Sequence, residues 1–367
     1  AITNVVTTSI PKTELVDATV RTPHQTFSSS EVNYNSTIWD PVNNRIVIAY
    51  SDASNNYGKM RTANMYFDGY NYDLQFSPEF TFNSSGTYDV NLVYAGNGKI
   101  VVSYLNTGAN RSESKVGTYQ AHLQQYSFGS PESITGSTTY ASYMQSAYDP
   151  INDKVVISYK DGSDNDYGKL RVGTISGTSI SYGSPSTFNN NFTVNSGIVH
   201  DPTTQKIVIA YKSGSTGKCR TATVSGTNII LGPAYQFRSS EPDSVTAVRD
   251  PNSDRIVFAY HNVTGYTMVV KVNSDDSFTF GPEQTFNIGS TAFESLVYHS
   301  PTNQIVLAYQ DRGPGSMYDH GKFITGSVDS TDNTITFNNP TKFNSDDASS
   351  IYYTAIVHET LYDKVAV

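Results

Sequence analysis

The hydrophobic pattern of this chain comes in short bursts. Runs of β-branched and aliphatic residues such as "RIVIAY" (Arg45–Tyr50) alternate with polar stretches rich in Gly, Asn and Asp. Continuous apolar runs bounded by turn residues read as strands buried on both faces. Several are preceded by a tight-turn signal, "DPVNN", "DPIND", "DPTTQ" or "DPNSD". Proline fixes φ there, and the Asp side chain accepts from backbone N–H groups beyond it. That assigns Asp40, Asp149, Asp201 and Asp250 to turns. No stretch sustains a 3.6-residue period, so no long helix is expected.

The bursts repeat. Aligned on the closing tyrosine, the anchors are Tyr50, Tyr104, Tyr159, Tyr211, Tyr260 and Tyr309, spaced 54, 55, 52, 49 and 49 residues apart. A second copy, "VYAGNGKIVVSY", lacks the Asp-Pro, and a seventh, "VHETLYDKVAV", stops at Val367 before its tyrosine. Each copy holds four extended pieces: one before the turn, the apolar run, a third after a polar loop and a Gly, and a fourth ending in a Pro-aromatic signature such as "FGPEQTF". Four strands per repeat near 50 residues describe a propeller blade, whereas a solenoid coil repeats every 20–30 residues or so. The expected fold is therefore all-β: one domain over residues 1–367, a seven-bladed β-propeller of four-stranded antiparallel blades. Closing the ring removes open strand edges. The N-terminal "VRTPHQTF" reads as a fourth strand without its first two, and the C-terminal "DKVAV" as a second strand without its last two. The termini are expected to share one blade, with Asn4–Ile10 as its third strand.

Composition narrows the function classes. Net charge is -9, 16% of residues are charged, and 27 Tyr stand against one Trp. With no Lys/Arg cluster, a nucleic-acid groove is not expected. The one cysteine, Cys219, excludes an intrachain disulfide framework and reads as a small buried apolar residue. No apolar run approaches the roughly 18 residues of a membrane span. The chain begins without Met or a signal-peptide core, which reads as a processed or excerpted polypeptide.

The repeat "DP…KVVISYKDGSDNDYGKLRVGTISGTSISYGSPSTF" (Asp149–Phe188) resembles those in tail-fibre and other virion proteins of marine bacteriophages and in large secreted proteins of aquatic microbes. The resemblance runs copy by copy along the whole chain. It implies a virion or surface role and carries no catalytic residues.

Candidate chemistry gathers in two places. The loops from second to third strands carry Asp52, Tyr57, Asp161, Tyr167, Asp311 and Tyr318. Asp, Asn and Tyr suit turns first, then sugar hydroxyls, then a Ca²⁺ ion. The position before each turn holds Trp39, Tyr94, Tyr148, His200, Arg249, His299 and His358. By blade equivalence these could ring the opposite end of a central channel, as inter-blade packing, as an aromatic platform, or as a Zn²⁺ site that the spacing of the imidazoles strains. No metal site or cofactor is assigned. Sequons occur at Asn35, Asn83, Asn110, Asn191 and Asn262.

The loops resemble sialidase Asp-boxes in composition, but an arginine triad with paired Tyr and Glu is not visible, and no G-x-S-x-G, H-E-x-x-H or P-loop is present. The leading expectation is a non-catalytic structural or adhesion module, extracellular or on a virion surface, whose partners are polysaccharide and other subunits of the assembly. The alternative is a polysaccharide-degrading enzyme, a lyase or glycoside hydrolase, on a propeller scaffold.

Overall fold

The computed structural model describes residues 4–5, 7–9, 19–20, 25–67, 69, 72–136, 140–313, 319–343 and 354–367. Among them there is no helix, and every strand pairing is antiparallel. One sheet shows how a repeat is built. Ser244–Asp250 pairs with Arg255–Asn262, which pairs with Thr264–Val272, which pairs with Phe278–Phe280. The chain then breaks at Gly281 and Pro282, and Gln284–Asn287 returns to the other half of Thr264–Val272. Proline cannot donate to a ladder, so the Pro-aromatic signature is an outer strand split in two.

Three further sheets have this five-strand form. A nine-stranded sheet joins two successive repeats through Phe80–Tyr94, whose first half pairs with Tyr57–Phe67 and whose second half pairs with Lys99–Asn106. The two ends of the chain meet as expected. Thr7–Ser9 lies between Lys364–Ala366 and Thr19–Val20, and Val357–Glu359 pairs with Lys364–Ala366. The inner strands touch in sequence order: Val32–Asp40, Phe80–Tyr94, Ala141–Asp149, Gly197–Asp201, Ser244–Asp250, Ser290–His299 and Val357–Glu359, the last returning to the first. They enclose a channel.

The repeated residues explain the packing. Ile207, Val208, Ile209 and Ala210 of one apolar run are fully buried, as are their equivalents, because sheets cover both faces. In several repeats the aromatic that ends the outer strand packs edge-on against the anchor tyrosine of the next: Phe188 on Tyr211 at 5.0 Å and Phe286 on Tyr309 at 5.1 Å. The same ring lies over a glycine of its own sheet. A Cβ on Gly265 would stand 2.4 Å from Phe286, and one on Gly168 2.5 Å from Phe188, so the recurring Gly is a packing requirement. Arg220 bridges sheets, donating to the carbonyls of Gly232 and Phe188, both at 3.0 Å.

The turn aspartates act as read. Asp40 accepts from the N–H groups of Val42 and Asn43 at 3.0 and 3.1 Å, and Asp149 and Asp250 do the same in their turns. Registers refine the last two copies. His299 pairs with Gln304 as Asp250 pairs with Arg255, so His299 holds the acid's place and Tyr298 the place before it. In the closing sheet Glu359 takes the acid's role, accepting from the N–H groups of Leu361 and Tyr362.

Candidate active site

The channel is not the same at both ends. Near its start, each of four inner strands carries a β-bulge in which two residues oppose one anchor tyrosine: Tyr34 and Asn35 opposite Tyr50, Asp89 and Val90 opposite Tyr104, Tyr143 and Met144 opposite Tyr159, Phe293 and Glu294 opposite Tyr309. The first residue of each bulge has positive φ: 50° at Tyr34, 49° at Asp89, 55° at Tyr143 and 55° at Phe293. Most other non-glycine residues in this region are Asn, Asp or Gln in turns. For an aromatic residue the conformation costs on the order of 1–2 kcal/mol. The bulges sit at the end where second-to-third strand loops lie, since Asn33 pairs with Ser51 and Ala292 with Gln310.

Two adjoining cavities open there. One of about 490 Å³ is walled by five inner strands, through residues such as Ser36, Asn91, Gln145, Ser244 and Glu294, and by Asn195 and Ile356, which lead into the other two. The other, about 470 Å³, is lined by all four bulge residues and by Lys160. Both share Asn35, Gln145, Asn195 and Phe293.

The bulge opposite Tyr309 brings Glu294 to His261. His261 Nδ1 lies 2.6 Å from Glu294 Oε1, and Ser244 Oγ donates to Glu294 Oε2 at 3.1 Å. The Glu294 side chain is 1% exposed and that of His261 15%. Burial works against the imidazolium, but the hydrogen bond and charge of Glu294, with the charge of Asp243, outweigh it and lift the His261 pKa above its usual value. Ser244 Oγ also approaches Nδ1, at 3.3 Å. A serine nucleophile is deprotonated by the imidazole nitrogen that does not face the carboxylate. Here Ser244 and Glu294 share one nitrogen, so the trio is a His–Glu pair with a serine steadying the acid. Across the mouth, burial raises the Asp89 pKa, opposed in part by the Tyr143 N–H and Lys160.

The residues singled out from sequence are placed as follows. Asp52 accepts from Ser54 N at 2.9 Å and Asp161 from Ser163 N at 3.0 Å, each holding its own loop. Asp311 is 3% exposed, paired with Lys322 Nζ at 2.6 Å and accepting from Asn287 Nδ2 at 2.7 Å. Tyr57 is exposed, Tyr167 half-buried, and Tyr318 lies outside the described residues. At the far end of the inner strands, several of the expected ring residues contact the preceding sheet. Trp39 Nε1 donates to Thr360 Oγ1 at 2.9 Å, Arg249 pairs with Asp201 at 3.0 Å, His200 lies 3.6 Å from Asp149, and the His299 and His358 rings meet at 4.8 Å. Tyr148 donates within its own turn to Asp153 at 2.8 Å, and Tyr94 accepts from Gly98 N at 3.2 Å. Among the described residues no cluster of His, Cys, Asp and Glu suited to a metal is found. Of the sequons, Asn110 and Asn191 are exposed, Asn35 lines the channel, Asn83 is buried with its amide on Thr87, and Asn262 donates to Glu241 O.

Sequence reasoning missed His261, Glu294 and Asp89. A signal existed: counting six residues back from the turn position held by Asp40, Ala95, Asp149, Asp201, Asp250 and His299 gives Tyr34, Asp89, Tyr143, Asn195, Ser244 and Phe293, all lining the mouth.

No family model and no curated protein matches the chain. Solved structures do. A periplasmic gluconolactonase from Pseudomonas aeruginosa superposes with a TM-score of 0.63 at 9% identity, covering 93% of this chain and 96% of that one. A protein from Lactobacillus plantarum gives 0.58 at 11%, covering 92% and 95%. A Trypanosoma rangeli sialidase gives 0.50 at 11%, covering 79% of this chain and 54% of that one. The gluconolactonase and the sialidase are β-propellers, and at these identities the similarity shows the fold. The expectation of a non-catalytic structural or adhesion module is corrected here. The fold is shared with enzymes, and the channel mouth holds a His–Glu pair suited to proton transfer.

Proposed function

We propose that the chain is a seven-bladed propeller enzyme that degrades polysaccharide, as a lyase or glycoside hydrolase, at the channel mouth. Seven blades follow if the nine-stranded sheet counts as two repeats joined through Phe80–Tyr94. The observation that carries the activity is the His261–Glu294 pair, set by a strained bulge into the wall of an open cavity. Both reactions break a glycosidic C–O bond, and both need one proton removed and one delivered. His261 takes a proton at Nε2, from water in hydrolysis or from a ring carbon in elimination, and Glu294 stabilises the resulting imidazolium. Asp89, kept protonated to higher pH by burial, delivers a proton to the departing oxygen. The gluconolactonase that shares this fold is periplasmic, which supports an exported enzyme that meets glycan outside the cytoplasm.

The test is release of reducing ends from a panel of soluble polysaccharides, with ultraviolet absorbance of an unsaturated product separating elimination from hydrolysis. Turnover by the wild type should fall about 100-fold or more in His261→Gln and in Glu294→Gln. Absent turnover, or variants as active as the wild type, would refute the reading.

A further inference from the structure

The proposed chemistry uses Glu294 and Asp89 but gives no task to Tyr34, Tyr143 and Phe293. These three are large, they hold positive φ, and they recur at one position of three separate sheets. All three line the cavity beside the His–Glu pair. Glycine or asparagine would suit that backbone with less strain, so the rings are there for what they face. Each bulge turns its residue toward a common space next to Asp89 and Lys160.

The charge around this space is informative. Among the described residues lining the two cavities, the acids are Asp89, Asp243 and Glu294, the bases are Lys160 and His261, and there is no arginine. Lys160 is already committed, lying 3.1 Å from Asp166 and over the Tyr143 and Phe192 rings at 5.4 and 5.3 Å. A sugar carboxylate would find no bidentate donor and would lie against the carboxyl groups of three acids. The apolar faces of an uncharged pyranose fit against aromatic rings, while its hydroxyls can donate to Asp89 and Asn195 and accept from Gln145.

We propose that Tyr34, Tyr143 and Phe293 form a stacking platform selective for neutral pyranose chains over uronate or sialate chains. This rests on the reading of the mouth as a carbohydrate site. It also selects hydrolysis, because elimination needs the carboxylate of a uronic acid to acidify the ring C–H that is broken.

Affinity and turnover are measured separately. The probes are neutral cello-, manno-, xylo- and maltohexaose, with hexagalacturonate and a sialylated hexasaccharide as anionic counterparts, titrated calorimetrically against the full chain. At least one neutral probe should bind, and both anionic probes should bind at least tenfold more weakly. Tyr143→Gly and Phe293→Gly should each weaken that binding about five- to tenfold while leaving the melting temperature unchanged or higher, since glycine relaxes the positive φ. A packing role would instead lower the melting temperature and leave affinity intact. His261→Gln should bind as the wild type does without turning over. Absence of binding to every neutral probe, preference for an anionic one, or glycine variants with unaltered affinity would overturn the platform. Binding by the wild type without turnover would leave the platform standing and sink the enzyme reading.

Discussion

The two ends of the channel are made from the same inner strands and behave oppositely. At the turn end, acceptors are consumed locally: Asp201 takes Thr203 N, Thr204 N and Arg249 Nε, and His299 is tied to Thr302 at 2.7 Å and to the Asp363 carbonyl at 3.3 Å. At the mouth, strained bulges turn rings and acids toward an open cavity. Histidine records the difference. Burial and the neighbouring His299 ring lower the His358 pKa to about 4, whereas Glu294 raises that of His261. One end closes the ring; the other keeps chemistry available.

The largest expected effect breaks the mouth alone. Glu294→Gln keeps the shape and removes the charge that supports the His261 proton, so turnover should drop by two orders of magnitude or more while urea stability changes little beside it. An equal loss of stability would make Glu294 a packing residue.

Acid should act on the turn end. Unfolded histidines titrate near 6.5, and the folded seam refuses a proton at His358 until about 4. Between these values the unfolded state holds more protons, so stability falls as pH drops, by at most roughly 3 kcal/mol from His358. Thr302, the carbonyl and the carboxylate of Asp363, whose charge opposes the lowering, and Lys364 are also near this pair. His261 runs the other way: its contribution is complete below 6.5 and is lost as pH rises through its raised value. His358→Phe should flatten the acid limb in urea titrations between pH 7 and 4.5, and an unchanged limb would remove the pair from the account.

Asp201→Ala comes next. It strands two backbone N–H groups and Arg249, costing about 1–3 kcal/mol in urea midpoint, with turnover per folded molecule unchanged. Smallest is Ser244→Ala, which removes one hydrogen bond to Glu294 and should lower turnover less than about tenfold. A loss matching His261→Gln would recast Ser244 as a nucleophile.

The scaffold was legible in the sequence because its rules are local and repeated. The Asp-Pro turn, the apolar run, the Gly under the Phe and the split outer strand recur in fixed order, and the matched ends announced a shared sheet. The sixth repeat slipped by one residue because "HSPTN" keeps a proline while moving it, and only the pairing of His299 with Gln304 sets the register. The mouth was hidden for a different reason. His261 comes from a second strand and Glu294 from the next sheet, 33 residues later, and a bulge with no Gly or Pro to mark it aims the acid. Loops rich in Asp and Tyr drew attention because their composition is conspicuous, yet Asp52, Asp161 and Asp311 spend their acceptors holding backbone and neighbours.

The central claim is that Glu294 raises the proton affinity of the mouth histidine while burial lowers that of the seam histidines. Titration of the imidazole Cε1–H resonances by NMR tests it directly, with assignments from His261→Gln, His299→Phe and His358→Phe. The account predicts that the resonance lost in His261→Gln titrates above 6.5 and falls below 6.5 in Glu294→Gln, where burial is left dominant, while those of His299 and His358 titrate below 6.5. A His261 resonance at or below 6.5 in the wild type, or one indifferent to Glu294→Gln, would contradict it.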